Sequence, residues 1–321
     1  MTLLLSRADV RALMTTEQAM EILASVAREE AEGTVVHMPP YGGASGTGIQ
    51  MRVVGGGLLG MGRMGLRAGL GSTVSLLFDT RSRKLLSIAS SPFGQLRVGA
   101  TMALAARYLA RPEARVVGIL GSGMNALTIL ECLNVVRPLE RVEVFSPTPA
   151  HREALAAQAG EALDIPVTAH GSPEPVIEAA EILVVATSSD TPILRFDQIR
   201  PGTHVTSMGR STELDESVYL MADQLVAGSR EQEIQEARPS AHSAAKGRTG
   251  QIWDLLESGR FTRDRIVELG SIVKGEVAPR NGPRDINVFR ESRGGVGDIA
   301  LASWVYEQAL ARGLGTEYDF D

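Results

Sequence analysis

The residues whose spacing most directly implies chemistry are Gly121, Gly123 and Ala126. They form a GxGxxA run at the end of the apolar stretch Arg115–Leu120, ahead of the helical pattern Leu127–Val136. Gly121 permits a tight turn out of a strand, Gly123 lets backbone approach a pyrophosphate with no Cβ in the way, and Ala126 lets a helix sit close to a strand. The loop residues Ser122, Met124 and Asn125 lead into a helix whose first-turn N–H groups and positive dipole end favour phosphate. A second β-type run, Arg141–Phe145, follows at the βαβ distance. The spacing therefore predicts a dinucleotide site of the Rossmann type.

The second strand narrows the choice of nucleotide. NAD-type sites end this strand with an acid that holds the ribose hydroxyls. Here Phe145 is followed by Ser146-Pro147-Thr148-Pro149-Ala150-His151-Arg152, with no acid at the tip. Thr148 suits a helix N-cap and Pro149 the first helical position, which puts His151 and Arg152 in a first turn where cations oppose the dipole. A bound anion would relieve that conflict. The expected cofactor is NADP rather than NAD, its 2′-phosphate contacted by Ser146, Thr148 and Arg152. Thr187 and Ser188, at the end of the fourth strand, and Met208 and Gly209, at the end of the fifth, are expected to line the nicotinamide side of the crevice.

These residues need a framework, and the chain supplies one. At 321 residues two cores are the default. Strands are expected at 115–120, 141–145, 166–168, 182–187, 204–208 and 224–227, alternating with helical patterns, and Ile286–Phe289 reads as a last strand. Such alternation implies a parallel sheet covered on both faces. Ahead of it, Arg7–Gly33 reads as two helices broken at Thr15–Glu17. The segments Val35–Pro40, a Gly-rich tract Tyr41–Gly62, and Leu76–Asp79 with Leu85–Ile88 read as strands and turns, the last pair a hairpin around Thr80-Arg81-Ser82-Arg83. Asp298 is expected to cap a closing helix Ile299–Arg312 before Gly313. The predicted fold class is α/β: a Rossmann-type parallel-sheet domain over residues 111–291, plus a smaller α+β substrate-binding and dimerisation domain made of 1–110 with 292–321.

Bulk properties exclude several classes. A net charge of −6 with no basic run argues against nucleic acid, and 44% hydrophobic with 22% charged residues is ordinary for a globular protein. No apolar run reaches membrane-spanning length, and Leu3–Leu5 is too short for a signal-peptide core, so a cytoplasmic enzyme is expected. The single cysteine, Cys132, reads as a small buried hydrophobe, His204 as structural, and no Cys/His/carboxylate spacing suggests a metal.

Several segments together resemble the ornithine cyclodeaminase/μ-crystallin family. They are Gln95-Leu96-Arg97-Val98-Gly99-Ala100 before an Ala-rich helix, the glycine motif, Ala186-Thr187-Ser188, His204-Val205-Thr206-Ser207-Met208-Gly209 with Glu213-Leu214-Asp215, and Gly294–Asp298. The resemblance implies a homodimer whose N-terminal domain, joined by the C-terminal helix, forms the dimer interface and substrate floor. It also implies hydride exchange between an amino acid and its imine, with Arg97 gripping the substrate carboxylate. Gly99, Ala100, Val296 and Gly297 are then further cofactor-side positions. A guanidinium holds a carboxylate through a planar two-donor fork.

Departures from the family pattern select among its activities. Val98 replaces the usual Thr. Arg67 stands where members usually carry Lys, and Met208-Gly209 runs through Arg210-Ser211-Thr212 to Glu213 without the Asp that cyclodeaminases use on the amine. Arginine binds anions but is a poor general acid or base. The expectation is an imino-acid reductase or amino-acid dehydrogenase. Arg97 would hold the α-carboxylate, and Arg67, with Arg52 or Arg210, a second anionic group such as that of iminosuccinate. A cyclodeaminase and a non-catalytic μ-crystallin-like ligand carrier remain the alternatives.

Overall fold

The computed structural model describes residues 1–44, 50–70, 72–91, 93–209, 211–238, 251–291 and 294–320. The chain divides into two units, Met1–Arg97 with Gly294–Asp321, and Val98–Arg293. The division falls inside helix α3 (Gly94–Leu109) and not at Arg111-Pro112. The cause is packing: a Cβ at Gly99 would lie 2.9 Å from both Cys132 Sγ and the Thr128 carbonyl oxygen, so this part of α3 is seated on α4 (Ala126–Val136).

The first unit starts from β1 (Thr2–Leu5), read from sequence only as too short for a signal core. Helices α1 (Arg7–Arg11) and α2 (Thr16–Ala31) follow, each begun by a capping box, Ser6 with Asp9 and Thr15 with Gln18. Gly33, at φ +69°, ends the helical segment as expected. Then come β2 (Val35–Ala44), β3 (Gln50–Leu58), β4 (Arg63–Leu70), β5 (Ser72–Asp79) and β6 (Leu85–Ser90), and at the far end of the chain β15 (Thr316–Tyr318). They form a seven-stranded sheet in the order β15-β1-β6-β5-β4-β3-β2. The expected hairpin is β5–β6; Asp79 closes its turn by accepting from Ser82 N at 2.7 Å and Ser82 Oγ at 2.9 Å.

Glycines in β3 and β4 let the closing helix, Val296–Arg312, lie directly on this sheet. A Cβ at Gly56 would sit 2.8 Å from Val296 Cγ2, and one at Gly65 3.0 Å from Ile299 Cδ1. The helix starts at Val296, capped by Gly295 without a side-chain bond. Asp298 is therefore not its cap. It lies in the first turn, fully buried, where the glycine strands leave the helix no solvent. Gly313 in the left-handed region ends the helix as predicted.

The second unit is an eight-stranded, all-parallel sheet in the order β13-β12-β14-β11-β10-β7-β8-β9. The strands are β7 (Val116–Leu120), β8 (Arg141–Phe145), β9 (Val167–His170), β10 (Ile182–Val185), β11 (His204–Ser207), β12 (Gln224–Ala227), β13 (Ile266–Glu268) and β14 (Asn287–Arg290). β7, β10, β11 and β14 are buried throughout, as strands covered on both faces must be. β14 inserts between β11 and β12, and β13 is too short to leave a sequence pattern. Strand order reverses between β7 and β10, which places the crevice of this fold at their carboxyl ends. No helix among the described residues is long and apolar enough to cross a membrane.

Candidate functional site

The glycine motif sits at the reversal point. Gly121 has φ +116°, and a Cβ there would overlap the Ala186 carbonyl oxygen from the loop after β10, so only glycine fits. Gly123 is exposed with nothing within 4 Å of a Cβ position. Asn125, the N-cap of α4, makes no side-chain capping bond; its amide instead contacts Met208 Sδ at 3.6 Å. The first-turn N–H groups of an eleven-residue helix therefore lie beside an open glycine, with Met124 exposed beside them and Ala126 buried beneath. That arrangement fits a pyrophosphate: Gly121, Ser122, Gly123, Met124 and Asn125 would hold it.

The tip of β8 is built around Ser146. Ser122 Oγ donates to Ser146 Oγ at 2.8 Å, tying the glycine loop to the tip. Helix α5 (Pro149–Leu163) opens with Thr148 as N-cap and Pro149 in the first turn, as the spacing predicts, but Thr148 makes no side-chain cap bond. Arg152 folds back, its Nη1 donating to Ser146 O at 3.2 Å and Pro147 O at 3.5 Å. Ser146, Thr148 and Arg152 thus converge on the strand tip, where the adenosine ribose binds in this fold.

At the ends of β10 and β11 a buried polar network was legible only as the family match Glu213-Leu214-Asp215. Glu213 is fully buried; it accepts from Thr187 Oγ1 at 2.7 Å, and Thr187 Oγ1 in turn accepts from Ser189 N at 3.0 Å. The one donor hydrogen of that hydroxyl is spent on the protein, so Thr187 shapes the loop, and Ser188 is exposed beside it. Gly209 is packed so tightly on Glu213 that a Cβ would overlap the carboxyl group. Buried Arg290 of β14 gathers the same strand ends, donating to Ser207 Oγ (2.7 Å), Gly209 O (2.9 Å) and Glu233 Oε1 (2.9 Å).

The first unit carries the arginines. Arg97, in the first turn of α3, is 7% exposed, and its Cγ and Cδ would lie 3.3 Å from a Cβ at Gly297. Arg67 on β4 is half-buried, with Nε 3.2 Å from Asp298 Oδ2. Arg52 pairs with Gly69 and Val54 with Arg67, so Arg52 and Arg67 project from the same face of adjacent strands, the face that bears the closing helix. Arg97, Arg67 and Arg52 are thus brought to one region, together with an acid, Asp298, that the sequence analysis assigned to capping. Its signal was a charge inside the apolar run Val296–Leu301. Arg210 lies outside the described residues.

Four of the expected cofactor positions lie in close packing. Gly99 and Ala100 are buried where α3 meets α4, and Gly99 serves that close approach. Val296 is buried against Gly56, and Gly297 makes room for Arg97 and Leu23. Gly99 and Gly297 are small because helices approach closely there, and that demand produces the same residue types as close approach to a ligand.

Comparison with known proteins agrees with this geometry. The model of the ornithine cyclodeaminase/mu-crystallin family matches residues 4–313. The chain is 27% identical to a Delta(1)-pyrroline-2-carboxylate reductase of Bacillus cereus, over 99% of this chain and 100% of that one. It is 26% identical to an iminosuccinate reductase of Paracoccus denitrificans, over 99% of both. The structure of Thermococcus litoralis Delta(1)-pyrroline-2-carboxylate reductase in complex with NADH and L-proline superposes with a TM-score of 0.85 at 25% identity, covering 99% of this chain and 100% of that one. With its two units, its glycine cradle and its arginine cluster, the chain belongs to the ornithine cyclodeaminase/mu-crystallin family.

Proposed function

We propose that the protein is an imino-acid reductase, working reversibly as an amino-acid dehydrogenase, that uses NADP(H) in preference to NAD(H) and acts as a homodimer. The cofactor supplies a hydride, two electrons with one proton, to the carbon of a protonated C=N group, which becomes an amine as the ring becomes cationic. The chain's own part is binding and orientation. Arg97 holds the α-carboxylate of the imine, fixing the reacting carbon. Arg67 is ion-paired through Nε with the buried Asp298, and among the described residues its two terminal nitrogens stay available for a second anionic group, with Arg52 on the same sheet face. Ser146, Thr148 and Arg152 hold the 2′-phosphate; among the described residues Arg152 donates to protein only through Nη1, which keeps its remaining N–H groups for a ligand.

The observation that carries the reductase reading is the Arg67–Asp298 pair. Ring closure needs a tunable base near the side-chain amine. Here that position holds an arginine, and the nearby acid is buried as its counter-ion. The relatives named as reductases of pyrroline-2-carboxylate and iminosuccinate support the same chemistry.

The test is NADPH and NADH oxidation by purified protein with oxaloacetate, pyruvate or glyoxylate plus ammonium, and with cyclic imino acids, for wild type, Arg67→Lys and Arg152→Ala. Expected are turnover with a higher kcat/KM for NADPH, loss of that preference in Arg152→Ala, and a selective loss on dicarboxylate substrates in Arg67→Lys. Ammonia release from ornithine or lysine without net oxidation would replace this reading by a cyclodeaminase.

A further inference from the structure

Ser75 of β5 is 1% exposed, and its Oγ has no hydrogen-bond partner among the described residues. Buried hydroxyls are ordinarily bonded, and one left alone is costly. Registers set Ser75 in the row Val54, Arg67, Ser75, Ala89, Leu5 across five strands, so it projects with Arg67 from the face that bears the closing helix. Buried Ala89 shows that an alanine is at home in this row. The serine adds only a hydroxyl, and its one polar neighbour in the row is a guanidinium, which offers no acceptor. Arg67 itself has Nε facing the buried Asp298 at 3.2 Å, while its Nη1 lies 3.9 Å from a Cβ built on Gly94, the first residue of α3. No acid stands in the first turn of that helix, so a cation beside its start opposes the dipole, and an anion there would relieve the conflict. Two donors on adjacent strands, Ser75 Oγ and the terminal nitrogens of Arg67, thus call for the same kind of acceptor.

We propose that Ser75 is a specificity-determining residue: its hydroxyl donates to the distal carboxylate of the substrate beside the Arg67 guanidinium, so that the site selects imino dicarboxylates over imino monocarboxylates. This rests on the reading that Arg67 takes the second anionic group. A carboxylate has acceptor sites for the guanidinium fork and for one O–H besides. A monocarboxylate imine brings no acceptor to this place and leaves both donors unpaired, which is the means by which a polar site rejects a substrate lacking the matching group. Ser75 takes no part in hydride transfer; it acts on binding of the distal end alone.

The experiment measures kcat and KM separately for oxaloacetate and for pyruvate, each with saturating ammonium and NADPH, on wild type, Ser75→Ala and Ser87→Ala. Ser87 is a second buried serine on the same face, in the neighbouring row with Leu77, and serves as the control for packing. The expected result is a KM for oxaloacetate raised about tenfold in Ser75→Ala, with kcat on that substrate and both constants for pyruvate close to wild type, and Ser87→Ala unmoved throughout. An unchanged KM for oxaloacetate in Ser75→Ala, an equal loss on both substrates, or the same selective loss in Ser87→Ala would each overturn the proposal in favour of a structural role. A wild type that prefers pyruvate overturns the Arg67 reading and the proposal with it, an outcome distinct from a dicarboxylate preference that Ser75→Ala leaves intact. Should Ser75→Ala fail to fold, Ser75→Cys, which exchanges the hydroxyl for a weak S–H donor, is expected to raise the oxaloacetate KM selectively and to a smaller extent, and no rise would again overturn the proposal.

Discussion

Gly121 and Gly123 have the same side chain and the same motif, but the structure separates their physical roles. Gly121 is demanded by the protein itself, through positive φ and contact with the Ala186 carbonyl; Gly123 is open, and no described neighbour requires a glycine there. Gly121→Ala should therefore cost about 1–3 kcal/mol of stability and abolish nucleotide binding. Gly123→Ala should leave stability within about 0.5 kcal/mol and still weaken the nucleotide. Thermal melts with and without NADPH check both, and a destabilised Gly123→Ala would show the loop to be packed by protein after all. Arg67 was readable as an anion-binding group, but its partner Asp298 was not, because the two are separated by more than two hundred residues and meet only when the helix lies on the sheet.

At the scale of elements, β11 shows how burial converts a neutral strand residue into a pH sensor of stability. His204 is fully buried, and desolvation first, then the charge of Arg280, holds its pKa down at about 3 against an ordinary 6.5. Between these values the unfolded chain binds a proton that the folded chain refuses. The stability is thus present above pH 6.5 and is lost as pH falls towards 3, at up to about 1.4 kcal/mol per pH unit. Comparing denaturant unfolding of wild type and His204→Leu from pH 7 to pH 4 isolates this slope; identical pH dependence in the two would show that His204 does not carry it. The strands from β7 to β12 were all legible as apolar runs alternating with helices. β13 was not, since three residues contain no period, and the true start of the closing helix was hidden because glycine, not a polar cap, precedes it.

At the scale of the whole molecule, the sheet of the first unit has one face under the closing helix and an opposite face that leaves Val36, Met38, Met64 and Val74 exposed. Registers place Val36 and Met64 opposite Gly57 on neighbouring strands, so these side chains form one apolar surface. A surface of this kind suits an association site, in keeping with the proposed homodimer. Met64→Glu should convert a dimer to a monomer in light scattering coupled to size exclusion, with little change in the melting of the isolated monomer. A wild-type protein that is monomeric at micromolar concentration would remove the homodimer from the proposal.

The sequence alone determined the glycine turn, the parallel sheet around it and the two helices of the first unit, because each depends on residues near one another in the chain: a turn, a period or a short motif. Only the tertiary structure decided that Gly99 and Val296 are packing residues, that Asp298 is the buried partner of Arg67, and that Glu213 lies against Gly209 at the strand ends. Close helix packing and close ligand approach select the same small residues, and a buried charge reveals its purpose only through the partner that folding brings to it.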